Sequence, residues 1–313
     1  MPELEVIHPG MQCLIQDIGR YGAAEQGLSQ GGAVDLHAHC WANYLVGNDP
    51  NSPTIEITLG QAQFRATDDC LVVLTGADMH PTLAGTPVPN WHSFVMNKGE
   101  CLKLGIARHG LRAYLAVRGG FDVPSVLGSC SAVLRNKIGG LVPGLPLTHN
   151  DRIIINHHEV IPLDELEGRQ AAARFVPDYS LPITLRVIES YQKAMFQSVE
   201  KKRFYTSNYT VSQDVDRMGY RLVGPAVSAD VDGIISEGIA LGAIQFPPNG
   251  QPIVLLNDRQ TLGGYPKLGC VARVDLPRLA QARPGDVVEF RCGDLAVLTE
   301  EWQRFSRFFG LSI

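Results

Sequence analysis

No apolar run in this 313-residue sequence is long enough to cross a bilayer. The longest, such as Ile253 to Leu256, are strand-sized. Positive charge is also in short supply. With 27 Lys and Arg against 32 Asp and Glu, the formal net charge is -5, and a nucleic-acid partner would call for a Lys/Arg face to neutralise its phosphates. The opening residues, Met1 to Gln12, carry Glu3 and Glu5 and no apolar core segment, unlike a signal or transit peptide, so a cytoplasmic protein is expected. The seven cysteines (Cys13, Cys40, Cys70, Cys101, Cys130, Cys270 and Cys292) are odd in number and widely spaced among apolar neighbours. This is no disulfide frame, and reduced core thiols are expected.

Several catalytic signatures are missing. There is no Gly-x-Ser-x-Gly elbow and no cysteine in a motif with a partner histidine, so covalent hydrolysis is not suggested. No glycine-rich loop ends in Gly-Lys-Ser/Thr, so direct ATP binding by this chain has no sequence support. His37, His39 and Cys40 fall on an expected helix, where residues two apart point in different directions. No second Cys/His cluster lies at zinc spacing, and His157-His158 reads as an exposed loop, so no metal is expected.

The composition is that of a globular protein, 45% hydrophobic and 19% charged, and the length favours two domains. Apolar runs of four to seven residues recur between Gly, Pro, Asn or Asp, at Leu71 to Leu74, Ala113 to Val117, Ile153 to Ile155, Thr184 to Ile188 and Val287 to Phe290. They predict a mostly β chain of barrels or sandwiches. Helices are expected at Leu36 to Val46 after Asp35, at Tyr191 to Arg203, and at Leu276 to Ala282 after Asp275 and before Pro284. Another covers Leu298 to Phe309, where Leu298, Trp302, Phe305 and Phe309 share a face fit to dock on a core or a partner.

The two halves echo one another. Gln16-Asp17-Ile18-Gly19-Arg20-Tyr21-Gly22 returns as Gln213-Asp214-Val215-Asp216-Arg217-Met218-Gly219, and Leu59-Gly60-Gln61-Ala62-Gln63-Phe64 as Leu241-Gly242-Ala243-Ile244-Gln245-Phe246. A tandem duplication is expected, with one domain over residues 1–160, a linker with a short helix over 161–182, and a second domain over 183–313 that carries the terminal helix.

The densest polar segment is Asn257-Asp258-Arg259-Gln260-Thr261-Leu262-Gly263-Gly264-Tyr265-Pro266-Lys267, at the end of an apolar strand. Gly263 and Gly264 can turn backbone N–H groups into a concavity for a carboxylate or phosphate, with charge added by Arg259 and Lys267. Asp258 can serve as a base or orient a donor, Gln260 and Thr261 can hydrogen-bond an amide, and Tyr265 offers a flat face to a small ring. A plain Gly-Gly-Tyr-Pro turn with solvated charges accounts for the same residues equally well. In Asp216-Arg217-Met218-Gly219-Tyr220-Arg221, Arg217 and Arg221 can clamp a substrate carboxylate, or an Arg–Asp pair can tie a turn to the barrel. Glu237 is a second candidate carboxylate, placed at a turn that can face the mouth of the Tyr265 loop.

Taken together, Gln16-Asp17-x-Gly19-Arg20-x-Gly22, Asn43-x-Leu45-Val46-Gly47-Asn48, Tyr114-Leu115-Ala116-Val117-x-Gly119-Gly120, Asp216-Arg217-Met218-Gly219-Tyr220-Arg221 and Gly263-Gly264-Tyr265-Pro266-Lys267 resemble one family. It is the family of biotin-dependent carboxyltransferases and of the C subunit of 5-oxoprolinase, also called the KipA or allophanate hydrolase subunit 2 family. The resemblance runs from about Leu14 to Arg291. It implies two tandem cyclophilin-like β-barrel domains with a few inserted helices. It also implies a protein that works with the B subunit of 5-oxoprolinase and, less tightly, with the A subunit to open 5-oxoproline to L-glutamate at the expense of ATP, the ATP being held through the complex. The alternatives it implies are a carboxyltransferase subunit of a biotin-dependent urea or amide carboxylase, and a non-catalytic partner of a KipI-like subunit. On this resemblance Asp258, Lys267 and Glu237 are catalytic candidates, and Arg217, Arg221, Gln260, Thr261, Gly263, Gly264 and Tyr265 bind substrate. Leu262 and Leu145 depart from the family pattern, where a threonine and an arginine are usual, and remove polar groups from site loops.

Overall fold

The computed structural model describes residues 1–156 and 165–311. The chain forms two compact units, Met1–Arg20 with Gly31–Ser180, and Tyr21–Gln30 with Leu181–Ile313. The mostly β fold expected from the sequence is the one observed, and every apolar run named above falls on a strand, with Ile155 and Leu256 just past the strand ends.

In the first unit, a six-stranded and a five-stranded sheet share one core, in which Leu4, Val6, Phe64 and Leu102 of one meet Ile15, Ile57, Val72, Leu74 and Leu115 of the other. The strand Cys70–Gly76 is buried at every position because its second face is covered by the helix Leu36–Leu45. That helix begins as the sequence predicts, with the Asp35 carboxylate accepting from the Ala38 N–H at 2.9 Å. His39 on it is wholly buried, its ring between Thr54 and the Pro50 carbonyl, and burial lowers its pKa.

Residues 165–180 of the expected linker belong to this unit, and Leu181 and Pro182 to the second. Ser93 hydrogen-bonds to Leu166 and Arg169, Phe175 packs 5.0 Å from Trp41, and the Tyr179 hydroxyl reaches Asp35. A 3-10 turn, Ala173–Phe175, lies in the linker's second half. Residues 161–164 of that linker, like His157-His158, lie outside the described residues.

The second unit is a closed barrel of seven strands. Their order around the wall is Ile183–Glu189, Lys267–Val271, Ala243–Gln245, Ile253–Leu255, Gly219–Val223, Asn208–Val215 and Val287–Cys292, the last closing parallel onto the first. Strand periodicity sorts the side chains: Val187, Tyr220, Leu222, Ile244, Val254 and Phe290 are buried inward. Phe204 stacks on Phe290 at 4.5 Å and closes this core. Phe204 comes from the helix Ser198–Thr206, whereas the single helix expected over Tyr191 to Arg203 is divided, with a 3-10 turn at Tyr191–Met195 before it.

Asp275 precedes the helix Leu276–Ala280 but does not cap it, because its carboxylate is taken by Arg186 at 2.6 and 2.9 Å. The terminal helix Leu295–Phe309 is capped by Asp294. It buries Leu298 and Phe309 and receives the Arg273 guanidinium 4.1 Å from the Trp302 ring, so its apolar face docks on its own unit. Nothing in the sequence signals that residues 21–30 belong to this unit. Within it, Ser29 Oγ donates to the Arg259 carbonyl at 2.8 Å and Arg273 donates to the Tyr21 hydroxyl at 2.6 Å.

Candidate functional site

The strands that face the core on one side carry a polar row on the other. Register pairing places Arg221 opposite Ile253, Ile253 opposite Gln245, and Gln245 opposite Lys267, so these four side chains stand side by side on the outer face of the barrel wall. A shift in register between Ile244 and Gln245 leaves an extra residue, Leu268, between Lys267 and Gly269. Such a bulge re-aims a side chain while its neighbour stays in the core, and Leu268 is fully buried.

A two-stranded ribbon, Glu237–Gly238 with Leu262–Gly263, accompanies this face. Ile239, Ala243, Ile253 and Leu255 form a small apolar cluster apart from the main core, and it gives the ribbon a base. The site therefore stands on the outside of the barrel wall rather than at a barrel mouth.

Two ion pairs fix the surroundings. Lys267 Nζ lies 2.6 Å from Glu237 Oε1, with the lysine side chain 8% exposed. Gln192 Nε2 donates to the same carboxylate at 2.7 Å, and the Tyr191 hydroxyl donates to its second oxygen. Lys267, followed by Tyr191, holds the Glu237 carboxyl below the ordinary carboxylate range. The same contact raises the Tyr191 hydroxyl. Among the described residues, the Lys267 ammonium makes no hydrogen bond besides this ion pair.

In the second pair Arg217 grips Asp258, Nε to Oδ2 at 3.0 Å and Nη2 to Oδ1 at 2.9 Å, both side chains buried. Arg217 thus holds a carboxylate of its own chain, the contact that the turn-tying alternative calls for. Asp258 is engaged at both oxygens and is a poor candidate for a free base. Arg259 is also committed: it donates to the carbonyls of Ile239 and Leu256, and burial brings its guanidinium down to about 10, still charged at neutral pH.

A cleft of about 560 Å³ has walls that include Asp214, Asp216, Arg221, Gln245, Gln260 and Tyr265. Of the residues expected to bind substrate, Arg221, Gln260 and Tyr265 meet here. Arg217, Thr261, Gly263 and Gly264 are not among the lining residues, and neither are Asp258, Lys267 and Glu237. The ribbon and the register row bring Glu237, Lys267 and Gly263 up beside it.

The glycine pair works differently from the expected anion cradle. Neither Gly263 nor Gly264 has a positive φ, so no left-handed nest forms. Gly263 is needed for space. A Cβ there would stand 2.5 Å from Ile239 Cδ1, 2.8 Å from Gln245 Nε2 and 3.3 Å from Gln260 Nε2, so the two carboxamides converge over a position that only glycine leaves open. Leu262, beside it, is exposed.

Gln245, Gln192 and Tyr191 escaped sequence reasoning. Gln245 had a signal, as the one polar side chain in the otherwise apolar run Ala243-Ile244-Gln245-Phe246. Gln192 and Tyr191 had none, because their role appears only when a distant turn reaches Glu237.

Taken over both units, the chain is of the carboxyltransferase type: the family model "carboxyltransferase domain, subdomain A and B" matches residues 26–292, and the chain belongs to that family. It is similar to the C subunit of 5-oxoprolinase from Escherichia coli, 37% identical over 98% of this chain and 96% of that protein. It is also similar to the C subunit of 5-oxoprolinase from Haemophilus influenzae, 34% identical over 93% and 92%. Among solved structures it resembles the urea amidolyase of Kluyveromyces lactis, with a TM-score of 0.89 and 27% identity over 97% of this chain but 20% of that one.

Proposed function

We propose that this chain is the C subunit of an ATP-dependent 5-oxoprolinase, working with the A and B subunits to hydrolyse the lactam 5-oxoproline to L-glutamate. The observation that carries this reading is the end-to-end likeness to two free-standing C subunits of 5-oxoprolinase. The urea amidolyase likeness, by contrast, takes up one fifth of a much longer chain. A carboxyltransferase acting from biotin remains the second reading, and this chain carries no Met-Lys biotin-carrier signature.

The residues suit an amide and not a nucleotide. A triphosphate in the cleft would face Asp214 and Asp216 with Arg221 as the lining cation, so ATP belongs elsewhere in the complex. Arg221 is exposed and makes no side-chain hydrogen bond or ion pair among the described residues, so it is free to take a carboxylate. Tyr265 supplies a flat wall for a five-membered ring. The Lys267 ammonium, desolvated beside the cleft, can donate to an amide oxygen as negative charge grows there, while Glu237 balances its charge. In this reading Asp258 is a positioning residue that fixes Arg217 and the start of the site loop.

Two experiments test the proposal. Deleting the gene is expected to make 5-oxoproline accumulate, whereas unchanged levels favour the regulatory reading. The B subunit is expected to co-purify with this chain, and its absence from the preparation counts against the complex.

A further inference from the structure

Gln245 is 2% exposed and lines the cleft, yet its carboxamide hydrogen-bonds to nothing among the described residues. A buried primary amide left unpaired costs about 1–3 kcal/mol, and nearly all such groups in folded proteins have partners. The neighbouring contacts explain why no protein group completes it. Gly263 lies close against Nε2, where a Cβ would come within 2.8 Å of it, and the polar atom that converges there, Gln260 Nε2, is itself a donor and cannot accept from it.

Arg221 stands two strands away on the same row, about 10 Å from Gln245 at the usual strand spacing, and it too lacks a side-chain partner among the described residues. In this row the cleft therefore offers the buried Gln245 carboxamide and the Arg221 guanidinium, separated by the apolar side chain of Ile253, with the Gln260 carboxamide also on its wall.

A carboxamide presents a donor and an acceptor side by side. Its complement is an amide whose N–H and C=O lie on the same edge, which is the cis arrangement forced by a small ring. A trans amide sends the two groups in opposite directions and can satisfy only one of them. From this we infer that Gln245 is the specificity residue of the cleft. Its Nε2 donates to the ring carbonyl and its Oε1 accepts from the ring N–H of a cis-amide ligand, with Arg221 holding a carboxylate on the ring. The ligand class is a cyclic cis-amide acid; naming the lactam 5-oxoproline rests on the proposed function. A cyclic urea, such as the ureido ring of biotin, presents the same edge.

The test is calorimetric titration of the full chain with 5-oxoproline, its N-methyl derivative, 2-pyrrolidinone and biotin. Wild type is expected to bind 5-oxoproline about tenfold more tightly than the N-methyl compound, the worth of one good hydrogen bond. Gln245→Leu is expected to bind both equally weakly. Arg221→Ala is expected to lose the preference for 5-oxoproline over 2-pyrrolidinone but keep the N-methyl discrimination.

The comparison of ligands on wild type needs no variant to fold. Equal affinity for 5-oxoproline and its N-methyl derivative overturns the role of Gln245, as does unchanged discrimination in Gln245→Leu. Binding of biotin but not 5-oxoproline, lost in Gln245→Leu, sustains the cis-amide edge and overturns the lactam reading alone. Binding of neither overturns the inference.

Discussion

Gln245 and Lys267 face each other across adjacent barrel strands, on the side of the wall that points away from the core. A bulge at Leu268 makes this possible, since a residue shifted by one position would turn Lys267 into the interior. The site thus depends on a local irregularity in a regular wall, and the ribbon carrying Glu237 completes it.

The Arg217–Asp258 pair is buried on both sides, and removing one partner strands the other. Asp258→Asn is expected to lower stability by about 3–5 kcal/mol. Replacing both residues with apolar ones of similar size is expected to cost less than the single change. Urea unfolding of the two single variants and the double variant measures this coupling.

Phe204 joins its helix to the barrel core through its stack on Phe290 and its edge contact with Phe246. Phe204→Ala is expected to cost about 3–5 kcal/mol through lost burial and the cavity left behind. Chemical denaturation reads the change. Phe204→Leu is expected to recover more than half of it.

The Glu237 carboxyl has a lowered pKa, so the stability it contributes is present above the ordinary carboxylate range and is lost as pH falls through its folded value. Protection of the Leu262 and Gly263 amides, taken against the unstructured-chain exchange rate at each pH, is expected to fall on acidification through and below the ordinary carboxylate range; they lie across the ribbon from Gly238 and Glu237. Glu237→Gln is expected to abolish that acid dependence.

Arg186 ties a barrel strand to Asp275 and, through Glu301, to the terminal helix. Asp275 and Glu301 each hold it, so its pKa is raised, while the carboxyl of Glu301 is lowered. Its side chain is one-third exposed and partly screened, so Arg186→Ala is expected to cost about 1–2 kcal/mol. Proteolysis of the terminal helix is expected to quicken in that variant.

Much of the fold was legible because strand alternation and capping are local. Asp35 announced its helix, and the apolar runs announced their strands. Asp275 misled for the opposite reason: a good capping residue was recruited by Arg186, 89 positions away. The inclusion of residues 21–30 in the second unit likewise rests on contacts such as Ser29 with Arg259, which have no sequence signature.

The site was legible in its loop and not in its geometry. Asp258, Gln260, Tyr265 and Lys267 were all singled out by residue type, but spacing could not show that Arg217 would claim Asp258 or that Gly263 clears room for Gln245. The internal echo pointed to Gln245 without disclosing its chemistry. Its counterpart Gln63 lies on a first-unit strand, and Asp17, the counterpart of the exposed Asp214, is buried and held by Ser129 and Ser131. The two segments share a sequence pattern, while Asp17 and Asp214 stand in different surroundings.

The most direct test is ATP-dependent formation of glutamate from 5-oxoproline by this chain reconstituted with the A and B subunits, comparing wild type with Lys267→Met. The account predicts turnover by wild type and a loss of about a hundredfold or more in the variant, of the size seen when one oxyanion-stabilising donor is removed. Turnover in Lys267→Met equal to wild type, or none in the wild-type complex, would contradict it.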